Sequence, residues 1–411
     1  MATITSQSLG ELLKRLYASW EIEQLVNLTY PILADCAKKG SAQLGGSGFY
    51  FPVRLRAAEG HAYITESQDL PPGQETLVKQ AVVTPTIQAG VVQLSGLSMS
   101  VSSGNAMAFA KAFDENVQQT IEAMSAYKEG AFFRDSTGQL ATFVTDPDGA
   151  LTTFTMSDVG HLREGMVVDV VDTNLSTHHN DAVTITGVDW VNKTITTDVP
   201  IAAAAAAGDF IYLAGSQVAG TAATAKEPLG LEASLLGTGT YLGIDRSVDS
   251  NWQASVQAAN AFLDETLLLQ ARTRITQSTG IPIQAMAGRF AVVTHPMQCD
   301  ILFKLAIPRI RYSGNDRFDL GNSDNVYFGN VPFKTSYNAP TDKAYVGDWQ
   351  CSQTLFTPNG ELHIDTEYNG SALKWVATKD VGLVFVKEYC QFVVKRPNAF
   401  VRFTNLTEAA R

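Results

Sequence analysis

A long run without helical periodicity, VKQAVVTPTIQAGVVQLSGLSMSV at residues 78–101, most constrains how this chain can fold. At about 3.3 Å per residue it would span roughly 80 Å, whereas a common strand has about five or six residues. The segment before it opens with the apolar patch FYFPV at 49–53, turns polar, and reaches the turn-forming PPG at 71–73. The two arms therefore predict a long antiparallel hairpin with its tip near residues 67–75.

The far half of this hairpin carries almost no apolar core of its own. A two-stranded hairpin is marginally stable in water, so we expect it to rest on something outside its own domain. The alternative is a surface loop, or a hairpin that lies on its own domain.

Composition and charge narrow the possible classes of function. The chain has 411 residues, 45% of them hydrophobic and 17% charged, with a formal net charge of -11. Affinity for nucleic-acid phosphates depends on Lys and Arg, so this charge argues against nonspecific nucleic-acid binding.

There is neither a membrane-spanning apolar run nor a signal-like N-terminus, and we expect no membrane association or secretion. The four cysteines lack CxxC spacing and are expected to be reduced thiols.

Periodicity predicts a mixed α+β chain. Residues 1–46 form an N-terminal arm whose amphipathic helix carries Trp20, and a second, long helix is predicted within 104–138. Residues 139–216 contain short β-rich segments between turns and predict an inserted small β-barrel or β-sandwich. A helical step from Trp252 to Ile275, ended by Gly280, predicts another helix within the body at 217–375. Strands fill most of 376–411.

Motifs that carry chemistry are scarce. His178, His179 and Asp181 could bind a transition metal, but an exposed polar loop explains them more simply because adjacent side chains on an extended segment point apart. No phosphate-binding glycine motif, nucleophile elbow or HExxH is present, so we expect no cofactor and no enzyme activity.

The basic loop PRIRYSGNDRF concentrates Arg309, Arg311 and Arg317 beside aromatic residues. Such a loop could bind nucleic acid or form salt bridges across a subunit seam. The overall acidity of the chain favours the seam.

The order of these parts, with GNVPFKTSYNAPTDKAYVGDWQ at 329–350 and VGLVFVKEYCQFVV at 381–394, resembles the major capsid proteins of tailed bacteriophages with the Hong Kong 97 fold. The resemblance implies an N-arm (1–46), an E-loop with a flanking P-domain strand (47–103), and the spine helix of the P-domain (104–138). It further implies the inserted β domain (139–216), a region that is mainly A-domain (217–375), and C-terminal P-domain strands (376–411).

The resemblance also implies a function. Copies would form the hexamers and pentamers of an icosahedral head around phage dsDNA, with the E-loop covering the P-domain of a neighbouring subunit. Expected partners are further copies, a portal, a separate scaffold protein because the arm begins at Met1, and DNA held without sequence-specific contacts. A decoration protein is an optional further partner. The lattice would be noncovalent, in a virion capsid assembled in the host cytoplasm. The candidate subunit contacts are Phe49, Arg54, Arg56, Lys79, Arg309, Arg311, Arg317 and Trp20.

Two alternatives stay open at this point. One is an encapsulin-like compartment shell, which shares the fold. The other is a virion surface-binding protein whose β insertion recognises a carbohydrate or a host receptor.

Overall fold

The computed structural model describes most of the chain beyond the first 36 residues. The described residues are 37–39, 44–45, 48–66, 68–95, 106–147, 149–202, 204–217, 227–282, 289–306, 327–328, 331–357, 360–365, 373–375, 378 and 380–407. The predicted N-terminal helix with Trp20, and the loop with Arg309, Arg311 and Arg317, lie outside them.

The described strands outnumber the described helices. The strands are β1 Ala37–Lys39, β2 Leu44–Gly45, β3 Gly48–Arg56, β4 Leu77–Val83, β5 Thr86–Ser95, β6 Gln139–Thr142, β7 Thr153–Thr155, β8 Val167–Val171, β9 His178–Asp189, β10 Thr194–Thr197, β11 Phe210–Leu213, β12 Thr240–Tyr241, β13 Ile244–Asp245, β14 Ser255–Ala258, β15 Phe290–Thr294, β16 Tyr327–Phe328, β17 Val331–Thr335, β18 Ala344–Asp348, β19 Ser352–Phe356, β20 His363–Ile364, β21 Leu373–Trp375, β22 Val381–Val394 and β23 Phe400–Thr404. The α-helices are α1 Ala106–Phe133, α2 Leu231–Ser234, α3 Glu265–Thr279 and α4 Pro296–Ala306. The mixed α+β class is therefore confirmed.

Helix α1 packs on a sheet built around the long strand β22. Strands β5, β19, β20 and β21 all pair with β22, and β1 extends the sheet beyond β19. The helix buries Val117, Ile121 and Met124, which recur at three- and four-residue steps as the sequence predicted. At its C-terminal end, Phe132 and Phe133 enter a core that also holds residues of β18, β22 and β23.

A second sheet occupies residues 139–213 and closes on itself. Its six antiparallel strands follow the order β6, β11, β8, β9, β10, β7, and a bridge between Phe143 and Met156 links the two ends. Inward-facing apolar residues such as Leu162, Val170 and Ile195 fill the interior as a separate core. Closure pairs the strand edges that an open sheet would expose, so this sheet is a small barrel.

The third sheet has the order β14, β23, β18, β15, β17, β16 and supports α3 and α4. The sequence predicted one helix from Trp252 to Ile275, and this was wrong in its first half. Trp252 lies in a 3-10 turn, β14 follows it, and α3 begins only at Glu265. The carboxylate of Asp264 accepts a hydrogen bond from Leu267 N at 2.8 Å and caps the helix there.

The predicted uninterrupted strand from residue 78 also differs from the structure. Strand β4 ends at Val83, Thr84 and Pro85 interrupt it, and β5 then pairs with β22 rather than with β3. Only β3 and β4 form the hairpin. Proline lacks the N–H that a continuous ladder needs, which is consistent with a break at this position.

Candidate functional site

The hairpin of residues 48–83, called the ribbon below, is firmly attached at its base. Phe49 is 5% exposed and packs in a core with Val83 and Trp252. Lys79 Nζ lies 2.6 Å from a carboxylate oxygen of Asp249, and Val82 N donates to Leu242 O at 3.1 Å. These contacts join the ribbon to the segment around β12 and β13 and fix the direction in which it leaves the body.

The distal part of the ribbon has no regular strand in its described residues, 57–66 and 68–76. Tyr63 is fully exposed and Leu70 is 81% exposed, although both are large apolar side chains. The two arms approach closely at Gly60, where an added Cβ would lie 2.8 Å from Gln74 N. This part of the ribbon therefore displays large apolar side chains that none of the cores among the described residues covers.

A groove of about 830 Å³ lies between β5, α1 and the barrel. Ile87 and Val91 of β5 line it and are 67% and 47% exposed. Gly90 lies against α1 so closely that an added Cβ would meet the Met124 sulfur at 2.7 Å. Within the part of the chain that the structure describes, β5 pairs only with β22, so its other edge is open to this groove.

Helix α1 is held in place by buried charged groups. Lys128 Nζ donates to the carboxylate of Glu388 on β22, and both side chains are almost fully buried. Burial alone lowers the pKa of Lys128, but the attraction of Glu388 and smaller favourable contacts together raise it. At the next residue of the helix, the Glu129 carboxylate accepts a hydrogen bond from Ser336 Oγ at 2.6 Å.

The end of α1 is joined to the chain that follows the barrel. The Arg134 guanidinium donates two hydrogen bonds to Glu227, at 2.6 and 3.0 Å, and Tyr127 donates to the same carboxylate. Burial, more than the nearby Glu227 charge, raises the pKa of Tyr127 far above its ordinary value. A buried, bidentate ion pair thus joins the chain just before the barrel, at Arg134, to the chain just after it, at Glu227.

The residues predicted as subunit contacts fall into three groups. Phe49 is buried within its own chain, and Lys79 is paired with Asp249. Arg54 and Arg56 are exposed on β3 of the ribbon. The remaining four, Arg309, Arg311, Arg317 and Trp20, lie outside the described residues. Their roles stay predictions.

Sequence reasoning missed the side chains that the ribbon actually presents. Tyr63 and Leu70 stand isolated in a polar stretch, so no periodic pattern marks them, although large apolar residues beside a PPG turn were a usable signal. The Lys79 partner, Asp249, is far away in sequence and had no such signal.

The histidine pair on β9 is divided between two acids. His178 Nδ1 lies 2.5 Å from Asp181, and His179 Nε2 lies 3.1 Å from Asp209. The ligand atoms of His178, Asp181 and the buried Asp169 come within 4.8 Å of one another. Both oxygens of Asp169 already accept backbone N–H groups, from residues 182 and 215, which explains its burial without an ion. We assign no metal to this cluster.

Cys351 and Cys390 form no disulfide. Burial is the main cause that raises the pKa of each thiol to about 12, so both are protonated at neutral pH. Among the described helices, none is both long enough and apolar enough to cross a membrane.

The chain has the fold of a chain from the Cyanophage A-1(L) capsid asymmetric unit. The alignment covers 93% of each chain, with a TM-score of 0.58 and 11% sequence identity. The TM-score over nearly the whole of both chains shows a common fold, and at 11% identity it confirms the resemblance to phage capsid proteins for the fold alone.

Two other similar structures superpose less well. They are the capsid of a native GTA particle, with a TM-score of 0.47 and 8% identity over 91% of this chain and 89% of that one, and the holo-SrpI encapsulin complex from Synechococcus elongatus, with a TM-score of 0.44 and 11% identity over 100% of this chain and 94% of that one. No protein-family model and no curated protein matches the sequence.

Proposed function

We propose that this chain is a structural major capsid protein, which self-assembles into hexamers and pentamers and forms an icosahedral phage head around dsDNA. The observation that carries the proposal is the fold shared with the cyanophage capsid chain along 93% of both chains. The uncovered apolar end of the ribbon supports it, because a shell subunit leaves part of its surface to be completed by its neighbours.

In this proposal the parts of the chain take distinct roles in the shell. Residues 1–46 are the N-arm, 47–103 the E-loop with a flanking P-domain strand, 104–138 the spine helix, and 139–216 the inserted β domain. Residues 217–375 supply most of the A-domain, and 376–411 return to the P-domain. The well-packed core around α1 and β22 supports a rigid P-domain.

The ribbon is the principal contact with the neighbouring subunit. Tyr63 and Leu70 would lose their exposure there, and burying a large apolar side chain contributes roughly 1.5–3 kcal/mol. The groove beside α1, with Ile87 and Val91, offers apolar cover and an open strand edge on the receiving copy. Because such contacts recur around each ring, modest individual energies add up over the shell.

The remaining partners follow from the same role. A portal, a separate scaffold protein and a decoration protein complete the head. The dsDNA lies along the inner face without sequence-specific contacts, and the net charge of -11 gives the wall little attraction to its phosphates. The protein would reside in the virion capsid after assembly in the host cytoplasm.

Particle assembly in ribbon variants tests the proposal. The double variant Tyr63→Ser/Leu70→Ser should give a folded chain that elutes as small oligomers, while the wild type forms closed particles in electron micrographs. Val144→Ser/Leu151→Ser is the matched control, because these barrel side chains are also about half exposed or more, at 54% and 51%. Deleting residues 62–76 should act like the ribbon double variant.

Wild-type protein that stays monomeric with its scaffold present, or ribbon variants that form normal particles, would contradict the proposal. The contents of purified particles separate the two kinds of shell. Genomic DNA and a portal indicate a phage head, whereas an enclosed enzyme indicates an encapsulin-like compartment.

A further inference from the structure

A small cleft lies where the barrel meets the body of the chain, away from the ribbon. Its volume is about 280 Å³. The turn between β9 and β10 forms one wall, and the segments before α4 and β18 form the other. The residues that line the cleft include Asp158, Gly160, His161, Trp190, Lys193 and Tyr337.

Two aromatic rings form a corner of this cleft. The centroids of Trp190 and Tyr337 are 5.4 Å apart, with their planes at 64°. The two residues remain 39% and 46% exposed, unlike the buried aromatic residues of the cores. Edge-to-face packing sets the edge of one ring on the face of the other, and the His295 ring lies 6.4 Å from Tyr337 between centroids, so only part of each aromatic surface is open.

Both rings stand on turns that are fixed by hydrogen bonds. The Asp189 carboxylate accepts from Val191 N at 2.8 Å and from Asn192 N at 3.1 Å, which holds the turn that carries Trp190. On the other wall, Ser336 donates to Glu129 at 2.6 Å and so holds the turn that carries Tyr337. A ligand would therefore meet a preformed corner and would pay little ordering entropy.

Polar groups lie beside the corner. The Asp158 carboxylate accepts from Gly160 N at 3.1 Å through one oxygen, and a Cβ added at Gly160 would touch this carboxylate at 3.4 Å. Lys193 lies on the same lining. His161 Nδ1 is buried, has no hydrogen-bond partner among the described residues, and faces α1, where a Cβ added at Gly130 would lie 3.2 Å from it. Burial is the main cause that lowers the pKa of His161 to about 3, so the ring is neutral at physiological pH.

We propose that this cleft binds one neutral sugar ring, a hexose or N-acetylhexosamine of a surface glycan. A sugar ring has an apolar C–H face that packs on an aromatic face, and hydroxyl groups that a carboxylate such as Asp158 can orient. One acidic and one basic side chain at the cleft favour a ligand without net charge. The volume of 280 Å³ is just below the usual range for ligand sites, about 300–1,000 Å³, and fits one ring rather than a longer chain. The inference does not depend on the shell role.

Saturation-transfer-difference NMR tests whether the cleft binds a sugar, because the method works for large proteins and particles. The probes are the methyl glycosides of glucose, galactose and N-acetylglucosamine, added singly to wild-type protein. At least one should receive saturation at its ring C–H protons, with a dissociation constant of about 1 mM, as one small ring with few hydrogen bonds allows.

Three variants locate the binding. Trp190→Ala should weaken it about tenfold or more, since it removes an aromatic anchor. Asp158→Asn keeps the shape and should weaken it about tenfold through the lost charge. Trp375→Ala is the matched control, because Trp375 is 49% exposed elsewhere on the chain, and it should bind like the wild type. Thermal melting of each variant checks that the fold is retained.

Absence of saturation transfer from wild type to all three glycosides would overturn the inference. Equal weakening by Trp190→Ala and Trp375→Ala would do the same, since it would place the binding elsewhere. A particle structure with the cleft filled by an adjacent copy would also overturn it and would reassign Trp190 to a subunit contact. Assembly is scored separately by electron microscopy, so failure here leaves the shell proposal intact.

Discussion

Breaking the ion pair between Lys128 and Glu388 should be costly, whereas removing both partners should not. The substitution Lys128→Met keeps most of the apolar stem of the side chain and removes the ammonium group, with its charge and its hydrogen bond to Glu388. It leaves the Glu388 carboxylate, 4% exposed, with no cation in a region where water cannot replace the lost partner. Helix α1 and strand β22, the two elements that organise this core, are joined by this pair.

The expected size follows from the burial of both groups. The Lys128 side chain is 9% exposed, and its Nζ also lies 4.8 Å from the centroid of the Phe356 ring. Removing one member of a buried pair costs about 3–5 kcal/mol, because the other charge stays desolvated. A loss of about 4 kcal/mol lowers the folding equilibrium constant roughly a thousandfold. Replacing both charges by apolar groups of similar volume is often nearly neutral, so Lys128→Met/Glu388→Met should recover most of the loss.

Urea denaturation of the unassembled chain measures this as a double-mutant cycle. Tryptophan fluorescence is a suitable probe, since the ring centroid of Trp349 lies 6.3 Å from that of Phe132 at the end of α1. Lys79→Met is the comparison: its partner Asp249 is only 6% exposed, but the Lys79 side chain is 37% exposed, so water can reach the site and the loss should be smaller than at the pair buried on both sides. If Lys128→Met costs no more than Lys79→Met, or if the two buried substitutions simply add, the pair does not stabilise the fold in the way described.

Two further perturbations test other parts of the structure. The pKa of His161 is lowered to about 3 from an ordinary 6.5, so the unfolded chain binds a proton there that the folded chain does not. The free energy of unfolding should therefore fall as the pH drops from 6.5 towards 3. In urea titrations at several pH values, His161→Gln should reduce this dependence on pH. An unchanged dependence would exclude His161 as the cause. At Gly230 an added Cβ would lie 2.1 Å from Arg134 O and 2.5 Å from Ala131 O. Gly230→Ala should thus destabilise the chain by about 1–3 kcal/mol, as measured by its urea midpoint, and a neutral result would mean that the backbone there moves freely.

Much of the fold is visible in local sequence patterns. The long helix predicted within 104–138 is α1, and Pro296 stands at the first position of α4, where its missing N–H and fixed φ suit a helix start. The turn-separated segments of 139–216 predicted a small β-barrel or β-sandwich, and the strands there form a barrel. These features are readable because the period of an element and its end signals lie within a few residues of one another.

The wrong predictions occurred where a partner far away in sequence decides the outcome. A helical step runs through Trp252 and Val256, yet β14 forms there because β23 offers a parallel edge. Strand β4 of the ribbon ends at Val83 because the next strand, β5, pairs with β22. In that pairing Thr86 lies opposite Cys390, about 300 residues later in the chain.

The sequence by itself determined the α+β class, the main helix, the β-rich middle and the existence of an unsupported hairpin, because each rests on spacing within one segment. Only the tertiary structure decided which surfaces can act. It brought Trp190 beside Tyr337, paired Lys128 with Glu388, and left Tyr63 and Leu70 uncovered at the ribbon's end. Local patterns record whether a side chain prefers to be buried, but its partner is chosen by how distant segments pack, and that choice depends on the whole chain.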